Sequence, residues 1–168
     1  KGMLRSIERA TRQPIEEMQL PSVEAVNDRR VEKFLARITD TLASGKAGEF
    51  RALIERMTQA ICRGDGAAAA ACFTPEGIYH DGFYGEFRGR EAIRDMVENH
   101  FHANARDFAW TLTDALSDGR LGFARYGFSY TSKLPGNEGA RVFFAGISHV
   151  RLQHGLVAHY SEVFDRGI

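Results

Sequence analysis

The sequence predicts an α+β fold in which helices come first and a curved antiparallel or mixed sheet follows them. Apolar residues recur at helical spacing as far as residue 104, and from Phe108 onward they alternate with polar residues as in strands. SDG, LPGNEG and QHG separate the alternating stretches, and these turn sequences suit antiparallel hairpins. Helices followed by a run of strands are typical of an α+β domain rather than of repeated βαβ units.

Length and charge limit the classes of protein to which this chain can belong. Its 168 residues are enough for one domain with a substantial core, and 22 basic residues balance 22 acidic ones. This balance gives no reason to expect nucleic acid or an anionic membrane as a partner. Cys62 and Cys72 fit small buried side chains in a reducing compartment, and no run of about 18 apolar residues occurs. We therefore expect a soluble, cytoplasmic protein.

The first part of the chain differs in composition from the rest. Residues 1–47 are charged, poor in aromatic residues and interrupted by Pro14 and Pro21, so we interpret them as an N-terminal helical extension of a domain at 48–168. Ser22 is placed to cap a helix in this extension. The helix has an apolar stripe that packs on the domain or on a second subunit, or else recruits another protein: Val31, Leu35, Ile38 and Leu42.

Capping residues divide the first half of the domain into helices. An apolar face ends at Gly64, after which Asp65 can cap a second, alanine-rich helix at Gly66–Phe73. A short strand is predicted at Gly77–Asp81, and Gly89 opens a third helix. The face of the first helix consists of Phe50, Leu53, Ile54, Met57 and Ile61.

Four long strands follow, and alternation assigns their faces. The predicted strands are Phe108–Leu116, Arg120–Lys133, Arg141–Gln153 and Leu156–Phe164. If the faces that carry the aromatic residues look toward the helices, they line a cone-shaped cavity with room for a ligand; the alternative is a core filled by helix side chains. Those faces comprise Phe108, Trp110, Leu112, Ala124, Tyr126, Phe128, Tyr130, Val142, Phe144, Gly146, Ser148, Val150, Leu156, Ala158, Tyr160 and Phe164.

Five segments carry a resemblance to a known superfamily. They are RALIERMTQAICRGDGAAAAACF, YHDG, FRGREAI, GISHVRLQHG and HYSEVFD, within a match that runs from about Phe50 to Asp165. In these segments the chain resembles the nuclear transport factor 2-like superfamily, and within it the SnoaL-like polyketide cyclases and the ketosteroid isomerases. The resemblance implies a cone-shaped α+β barrel with N-terminal helices packed on the sheet. It specifies the fold more closely than the reaction, because isomerases, cyclases, dehydratases, dioxygenase small subunits and binding domains share that fold.

The resemblance also suggests catalytic residues. It places the general base of the isomerases on Asp81, and the neighbouring His80 is a second catalytic candidate. The two oxyanion donors of the isomerases fall on Met57 and Ser148, so these donors are replaced here. Adjacent strand residues point to opposite faces, and we expect Asp81 rather than His80 to face the cavity. The alternative role of Asp81 is to start the turn at Gly82 by bonding its own backbone.

These observations give a leading hypothesis for function. We expect a lyase-, isomerase- or cyclase-type enzyme in which Asp81 is the general base on a hydrophobic carbonyl ligand. No metal or organic cofactor is implied, because the chain has neither a phosphate-binding glycine loop nor a Cys/His cluster. The residues expected to contact the ligand are Met57, Tyr84, Trp110, Tyr126, Phe128, Phe144, Ser148 and Tyr160.

Partners and alternatives complete the prediction. A hydrophobic small molecule and a second copy of the chain, bound through the outer face of the sheet, are the expected partners. One alternative is a non-catalytic binding or dimerisation module, with a plugged cavity and Asp81 tied to backbone amides. Another is the small subunit of an aromatic-ring dioxygenase, which requires a large catalytic partner chain.

Overall fold

The computed structural model describes residues 2–12, 22–43 and 45–164. The chain divides into two compact units, Lys1–Ile38 and Thr39–Ile168. The helices are α1 (Gly2–Thr11), α2 (Val23–Ala43), α3 (Lys46–Arg63), α4 (Gly66–Ala71), α5 (Gly89–Asp95), a π-helical segment (Met96–Phe101) and α6 (His102–Asn104). The strands are β1 (Phe73–Asp81), β2 (Gly85–Arg88), β3 (Ala105–Ser117), β4 (Leu121–Ser132), β5 (Arg141–Gln153) and β6 (Leu156–Phe164).

The first unit contains α1 and most of α2. On the predicted apolar stripe of α2, Val31 and Leu35 are exposed. The side chains of Ile38 and Leu42 lie outside the described part of the chain, as do Pro14 and Pro21. The assignment of residues 1–47 as an extension therefore stays a prediction. No described helix is both long enough and apolar enough to cross a membrane.

The junction between α3 and α4 follows the predicted capping pattern. Gly64 ends α3 in the left-handed region, with φ 75°, which a glycine adopts without strain. Asp65 then caps α4, because its Oδ1 accepts a hydrogen bond from the amide of Ala68 at 2.9 Å. Helix α4 ends two residues earlier than predicted, since Phe73 already begins β1. Both predicted caps are confirmed.

Removal of this cap should weaken the domain measurably. We expect Asp65→Ala to lower the free energy of unfolding by about 0.5–2 kcal/mol, because the Ala68 amide loses its acceptor. Asp65→Ser retains an oxygen that can accept the bond and should recover most of the loss. Urea denaturation of the two variants measures the difference. Equal stability of Asp65→Ala and the parent would show that water replaces the cap without cost.

All six strands form one open mixed sheet in the order β2-β1-β6-β5-β4-β3. Strands β1 and β6 are parallel, and every other neighbouring pair is antiparallel. Helix α3 packs against β3, and α5 packs against β1. The α+β fold with helices on a mixed sheet is therefore confirmed. Strands β5 and β6 have the predicted bounds, whereas β2 was not predicted and β1 begins four residues early.

The inner face of the sheet carries the core, largely as alternation predicted. Ala124, Tyr126 and Phe128 on β4 are all buried. The last strand corrects one assignment: Val157 is fully buried and packs in the core, whereas Ala158 is only partly buried. The register shifts between Arg151 and Leu152 on β5, opposite this point, because β6 bulges there. The bulge changes which residues face inward before Tyr160.

Candidate functional site

A cavity of about 330 Å³ lies between the inner face of the sheet and the helical segment before β3. Its walls are mainly aromatic, and its volume is at the lower end of the range of about 300–1,000 Å³ for small-molecule sites. Of the two arrangements expected from the sequence, the structure has the cavity with room for a ligand rather than the core filled by helix side chains. The lining residues are Tyr79, Asp81, Phe83, Tyr84, Phe101, Asn104, Ala105, Phe108, Trp110, Phe128, Tyr130, Leu134, Phe144 and Glu162.

Asp81 lies at the end of β1 and faces this cavity, with only 5% of its surface exposed. Its Oδ1 accepts hydrogen bonds from the amides of Phe83 and Tyr84, both at 2.7 Å. Burial raises the pKa of Asp81 above its ordinary value, and the two amides act in the opposite direction. Asp81 thus both closes the turn and lines the cavity, so the two placements weighed from the sequence occur together. Oδ2 receives neither amide bond.

A second carboxyl group, that of Glu162 on β6, lines the same cavity. Its Oε2 accepts hydrogen bonds from the hydroxyl groups of Tyr126 at 3.0 Å and Tyr160 at 3.3 Å. The backbone N–H of Gly82 also donates to this carboxyl. Burial and the negative charge of Asp81 raise the pKa of Glu162 to about 7, although these bonds act against the rise. Glu162 can therefore hold or release a proton near neutral pH.

Sequence reasoning missed Glu162, although a signal for it was present. Glu162 is two residues beyond Tyr160, and alternation places both on the same face of β6. A charged residue is ordinarily assigned to the solvent side, because an isolated buried carboxylate is costly. Here two buried hydroxyl groups and a backbone amide offset that cost.

Tyrosine side chains form the floor beneath the carboxyl groups. Tyr79 and Tyr160 are fully buried, and their rings stack with centroids 4.7 Å apart. Burial raises the pKa values of Tyr79, Tyr126 and Tyr160, with a further contribution from the charge of Glu162. Ser148 donates to the backbone oxygen of Ala124 at 3.2 Å. The hydroxyl groups of Tyr126 and Tyr160 are therefore neutral donors that hold Glu162 in place.

The mouth of the cavity is formed by the turn after β1 and by the helical segment opposite. Phe83 and Tyr84 are 56% and 43% exposed. The Tyr84 hydroxyl accepts a hydrogen bond from Asn104 Nδ2 at 3.2 Å, and its ring contacts Phe101 with centroids 5.8 Å apart. Phe101 ends the π-helical segment, and such segments often occur at functional sites. These contacts link the turn that Asp81 caps to the opposite wall.

The sequence-predicted site residues separate into two groups. Asp81, Tyr84, Trp110, Phe128 and Phe144 line the cavity. The other five do not line it: Met57, His80, Tyr126, Ser148 and Tyr160.

Met57 is fully buried in the core between α3 and the sheet and packs there against other apolar side chains. His80 is exposed, because it follows a cavity-facing Tyr79 on the same strand and points the other way. Tyr126, Ser148 and Tyr160 lie behind the lining and act through Glu162 or one another.

Glu162 should give the protein a characteristic pH dependence. Its native pKa of about 7 exceeds the ordinary value of 4.5, so the unfolded chain releases this proton first as pH rises. We expect the free energy of unfolding to fall by up to about 3 kcal/mol between these two pH values and then to level off. Asp81 contributes with the same sign at lower pH, whereas the lowered pKa of His159 acts oppositely near pH 6.5.

Glu162→Gln isolates this contribution because it preserves size and cannot titrate. The difference in unfolding free energy between the parent and this variant should follow the expected curve, as measured by urea denaturation at several pH values. A difference that does not change with pH would mean that Glu162 titrates alike in the folded and unfolded states.

A comparison with known families agrees with this architecture. The model of the SnoaL-like domain matches residues 54–160, which is more than half of the chain and includes every lining residue except Glu162. The chain belongs to the SnoaL-like domain family. Structural neighbours of this SnoaL-like protein include a candidate polyketide cyclase from Xanthomonas campestris pv. campestris, with a TM-score of 0.56 and 17% identity over 71% of this chain and 93% of that one.

Another neighbour is an epoxide hydrolase of the LEH-like type from Mycobacterium tuberculosis. It has a TM-score of 0.59 and 14% identity, and the match covers 71% of this chain and 84% of that one. At these identities the likeness concerns the fold alone.

A different likeness involves the beginning of the described chain. Residues 21–73 match the model of the RNA helicase DeaD dimerization domain. The ATP-dependent RNA helicase DeaD of Mycobacterium tuberculosis is 49% identical over 53 residues, which is 32% of this chain and 9% of the helicase. The chain thus matches about a tenth of the length of these curated relatives, and the match ends at the first residue of β1, before any residue that lines the cavity.

Proposed function

We propose that this SnoaL-like protein is a cofactor-independent isomerase, lyase or cyclase that acts on a small hydrophobic carbonyl compound. In this proposal Asp81 is the general base that removes a proton from carbon next to the carbonyl group. The observation that carries it is a buried carboxyl group that lines an open, aromatic-walled cavity. Burial of Asp81, which raises its pKa, makes it a stronger base than an exposed aspartate.

The turn geometry supports this role for Asp81. The two amides that bind Oδ1 hold the carboxyl group in one orientation toward the cavity. A base that the backbone itself orients needs no reorganisation when a ligand enters. The alternative of a binding module draws on the missing oxyanion donors and on the N-terminal extension, and it predicts a plugged cavity with Asp81 tied to backbone amides. The cavity of about 330 Å³ favours the enzyme over this alternative.

The proposal can be tested before the natural substrate is identified. Enolisable aromatic ketones small enough for the cavity are incubated with the protein in D₂O, and NMR follows the exchange of their α-protons for deuterium. The protein should accelerate exchange for some of these ketones, because removal of the proton is the first step of every reaction in the proposed class. Absence of accelerated exchange for ketones that quench the fluorescence of Trp110, the single tryptophan, would favour a binding role.

A second proposal concerns self-association through the outer face of the sheet. We define the outer apolar patch as Phe123, Phe143, Ile147 and Val163, which are between 45% and 79% exposed on β4, β5 and β6. Apolar patches of this kind mark interaction sites in soluble proteins. A second copy of the chain is the occupant that we propose, and the likeness of residues 21–73 to a dimerization domain also favours self-association.

A charge in the outer apolar patch should break this dimer. We expect Ile147→Lys to weaken self-association at least tenfold, because Ile147 pairs with Val163 at the centre of the patch. Asn137→Lys adds the same charge in the exposed loop before β5 and should change nothing. Sedimentation equilibrium measures both. A parent protein that sediments as a monomer of 18.8 kDa at high concentration would contradict the dimer.

We propose the reducing cytoplasm as the location, because Cys72 is buried and Cys62 is half-buried, as expected of small packing side chains.

A further inference from the structure

Glu162 lines the cavity, and no cationic side chain among residues 2–12, 22–43 and 45–164 pairs with it. Its carboxyl group bonds instead to the hydroxyl groups of Tyr126 and Tyr160 and to the amide of Gly82. A carboxyl group kept only for stability would more simply be replaced by an apolar side chain in this position. The arrangement therefore points to a use for the proton that it carries.

Gly146 allows one of these contacts to form. Tyr126 lies on β4 and Glu162 on β6, so the Tyr126 side chain must cross β5 to reach it. It crosses at Gly146, its direct neighbour in register, where a Cβ atom would lie 2.7 Å from the Tyr126 hydroxyl. Only glycine leaves that space. The register of β4 against β5 thus places Tyr126 where it can form this bond.

We propose that Glu162 is a second catalytic group, a proton donor to the carbonyl oxygen of the ligand, and that Tyr126 and Tyr160 position it. This inference rests on the proposed function, since Asp81 supplies the base on the other side of the reaction. Both hydroxyl groups bond to Oε2, so the proton of a neutral Glu162 is carried by Oε1.

The step balances within the two carboxyl groups and the ligand. Asp81 takes the α-proton, and the electron pair of the broken C–H bond forms a carbon–carbon double bond. The carbonyl π pair moves onto oxygen, which receives the proton of Glu162 and becomes an enol. Asp81 then returns its proton to the same or to a conjugated carbon, and the enol proton goes back to Glu162. No oxidant, reductant or further reactant takes part.

The electrostatic surroundings of Glu162 favour a neutral group that can still give up its proton. The titratable groups that face it are Asp81 and Tyr79 on β1, Tyr126 on β4 and Tyr160 on β6. All are negative or neutral, so none stabilises a charged Glu162 by ion pairing. Its pKa of about 7 is close to the value at which a group transfers protons efficiently at neutral pH.

The lining also limits the class of substrate. Among the described lining residues only the two carboxyl groups can carry charge near neutral pH, and neither lysine nor arginine is present. An anionic substrate would lose its hydration on entry and gain no ion pair in return, whereas a neutral substrate loses little hydration free energy. We infer that the substrate is an uncharged, enolisable carbonyl compound that fits within about 330 Å³.

A mimic of the enolate tests the donor directly. The probe is 2,4-dinitrophenolate, which stays anionic across the pH range used, and its binding is followed by quenching of Trp110. A neutral Glu162 donates to the phenolate oxygen, whereas an ionised one repels it. Affinity should therefore fall about tenfold per pH unit above pH 7. In Glu162→Gln, which donates but does not titrate, the affinity should no longer change with pH.

Tyr126→Phe distinguishes a positioning role from a merely structural one. The bond from Tyr126 lowers the pKa of Glu162, so its loss should move the midpoint of phenolate binding to higher pH. Tyr130→Phe is the matched control, because it removes a cavity hydroxyl that no described hydrogen bond joins to Glu162, and it should leave the midpoint in place.

Three results would overturn the inference. They are the absence of phenolate binding below pH 7, a pH dependence that persists in Glu162→Gln, and binding of tetramethylammonium that strengthens as Glu162 ionises. The last would assign the cavity to cations.

The Asp81→Asn variant separates this inference from the proposed function. Suppose that it catalyses α-proton exchange as fast as the parent while phenolate binding still depends on Glu162. The assignment of Asp81 as the general base is then wrong, whereas the assignment of Glu162 as the proton donor is supported.

Discussion

Asp81→Asn is expected to slow α-proton exchange by about 10²- to 10⁴-fold, the usual contribution of a general base. The asparagine side chain keeps an oxygen that can accept the bonds from the amides of Phe83 and Tyr84, so the turn should remain folded. The loss would then reflect the missing carboxylate rather than a disturbed turn. NMR exchange rates and the melting temperature, measured on the same sample, give both quantities.

Asp81→Ala provides the contrast. It removes the base and both hydrogen bonds to the turn, so it should lose exchange activity as fully and stability in addition, by about 1 kcal/mol for each bond. If Asp81→Asn exchanges α-protons at the parent rate, Asp81 has only the turn-closing role. If both variants are equally unstable, the carboxylate charge rather than the turn supports the fold.

Met57→Ala is expected to cause a large loss of stability with no loss of ligand binding. Met57 is completely buried in the core, so its truncation should cost about 2–5 kcal/mol in the free energy of unfolding. It does not line the cavity, and the affinity of a cavity ligand should be unchanged under conditions in which the variant is folded. Urea denaturation and Trp110 quenching measure the two effects.

Met57→Leu is the control for volume. It keeps a similar apolar side chain and should cost less than about 1.5 kcal/mol. A tenfold change in ligand affinity in Met57→Ala, with the fold intact, would support the ligand contact that the superfamily pattern predicts for Met57.

The fold was largely predictable because local signals and long-range patterns agree in this chain. The QHG turn fixes the end of β5 and the start of β6, and both strands have the predicted bounds. Strand β2 was missed because four residues are too few to show alternation. The bulge at Ala158 was missed because it arises from backbone pairing between β5 and β6, which leaves no mark in the order of side chains.

The site was predictable only in part. Asp81 and the aromatic wall follow from a strand end and from alternation, whereas the roles of Met57 and Ser148 depend on how closely helix and sheet approach. Glu162 was omitted because a charge next to an aromatic strand is ordinarily assigned to solvent. Its inward position becomes reasonable only once Tyr126 is known to cross Gly146, and that contact joins three strands.

The position of β6 in the sheet has a consequence for biosynthesis. Strand β6 lies between β1 and β5, so a nascent chain that has not yet released β6 from the ribosome holds two separate pieces, the β1–β2 hairpin and the β3–β5 meander. Each piece has an exposed strand edge that can pair with another chain. The two carboxyl groups are about eighty residues apart and meet only when the last strand inserts. Synthesis thus completes the sheet and assembles the cavity in one late event, and we expect chaperones to be needed most just before it.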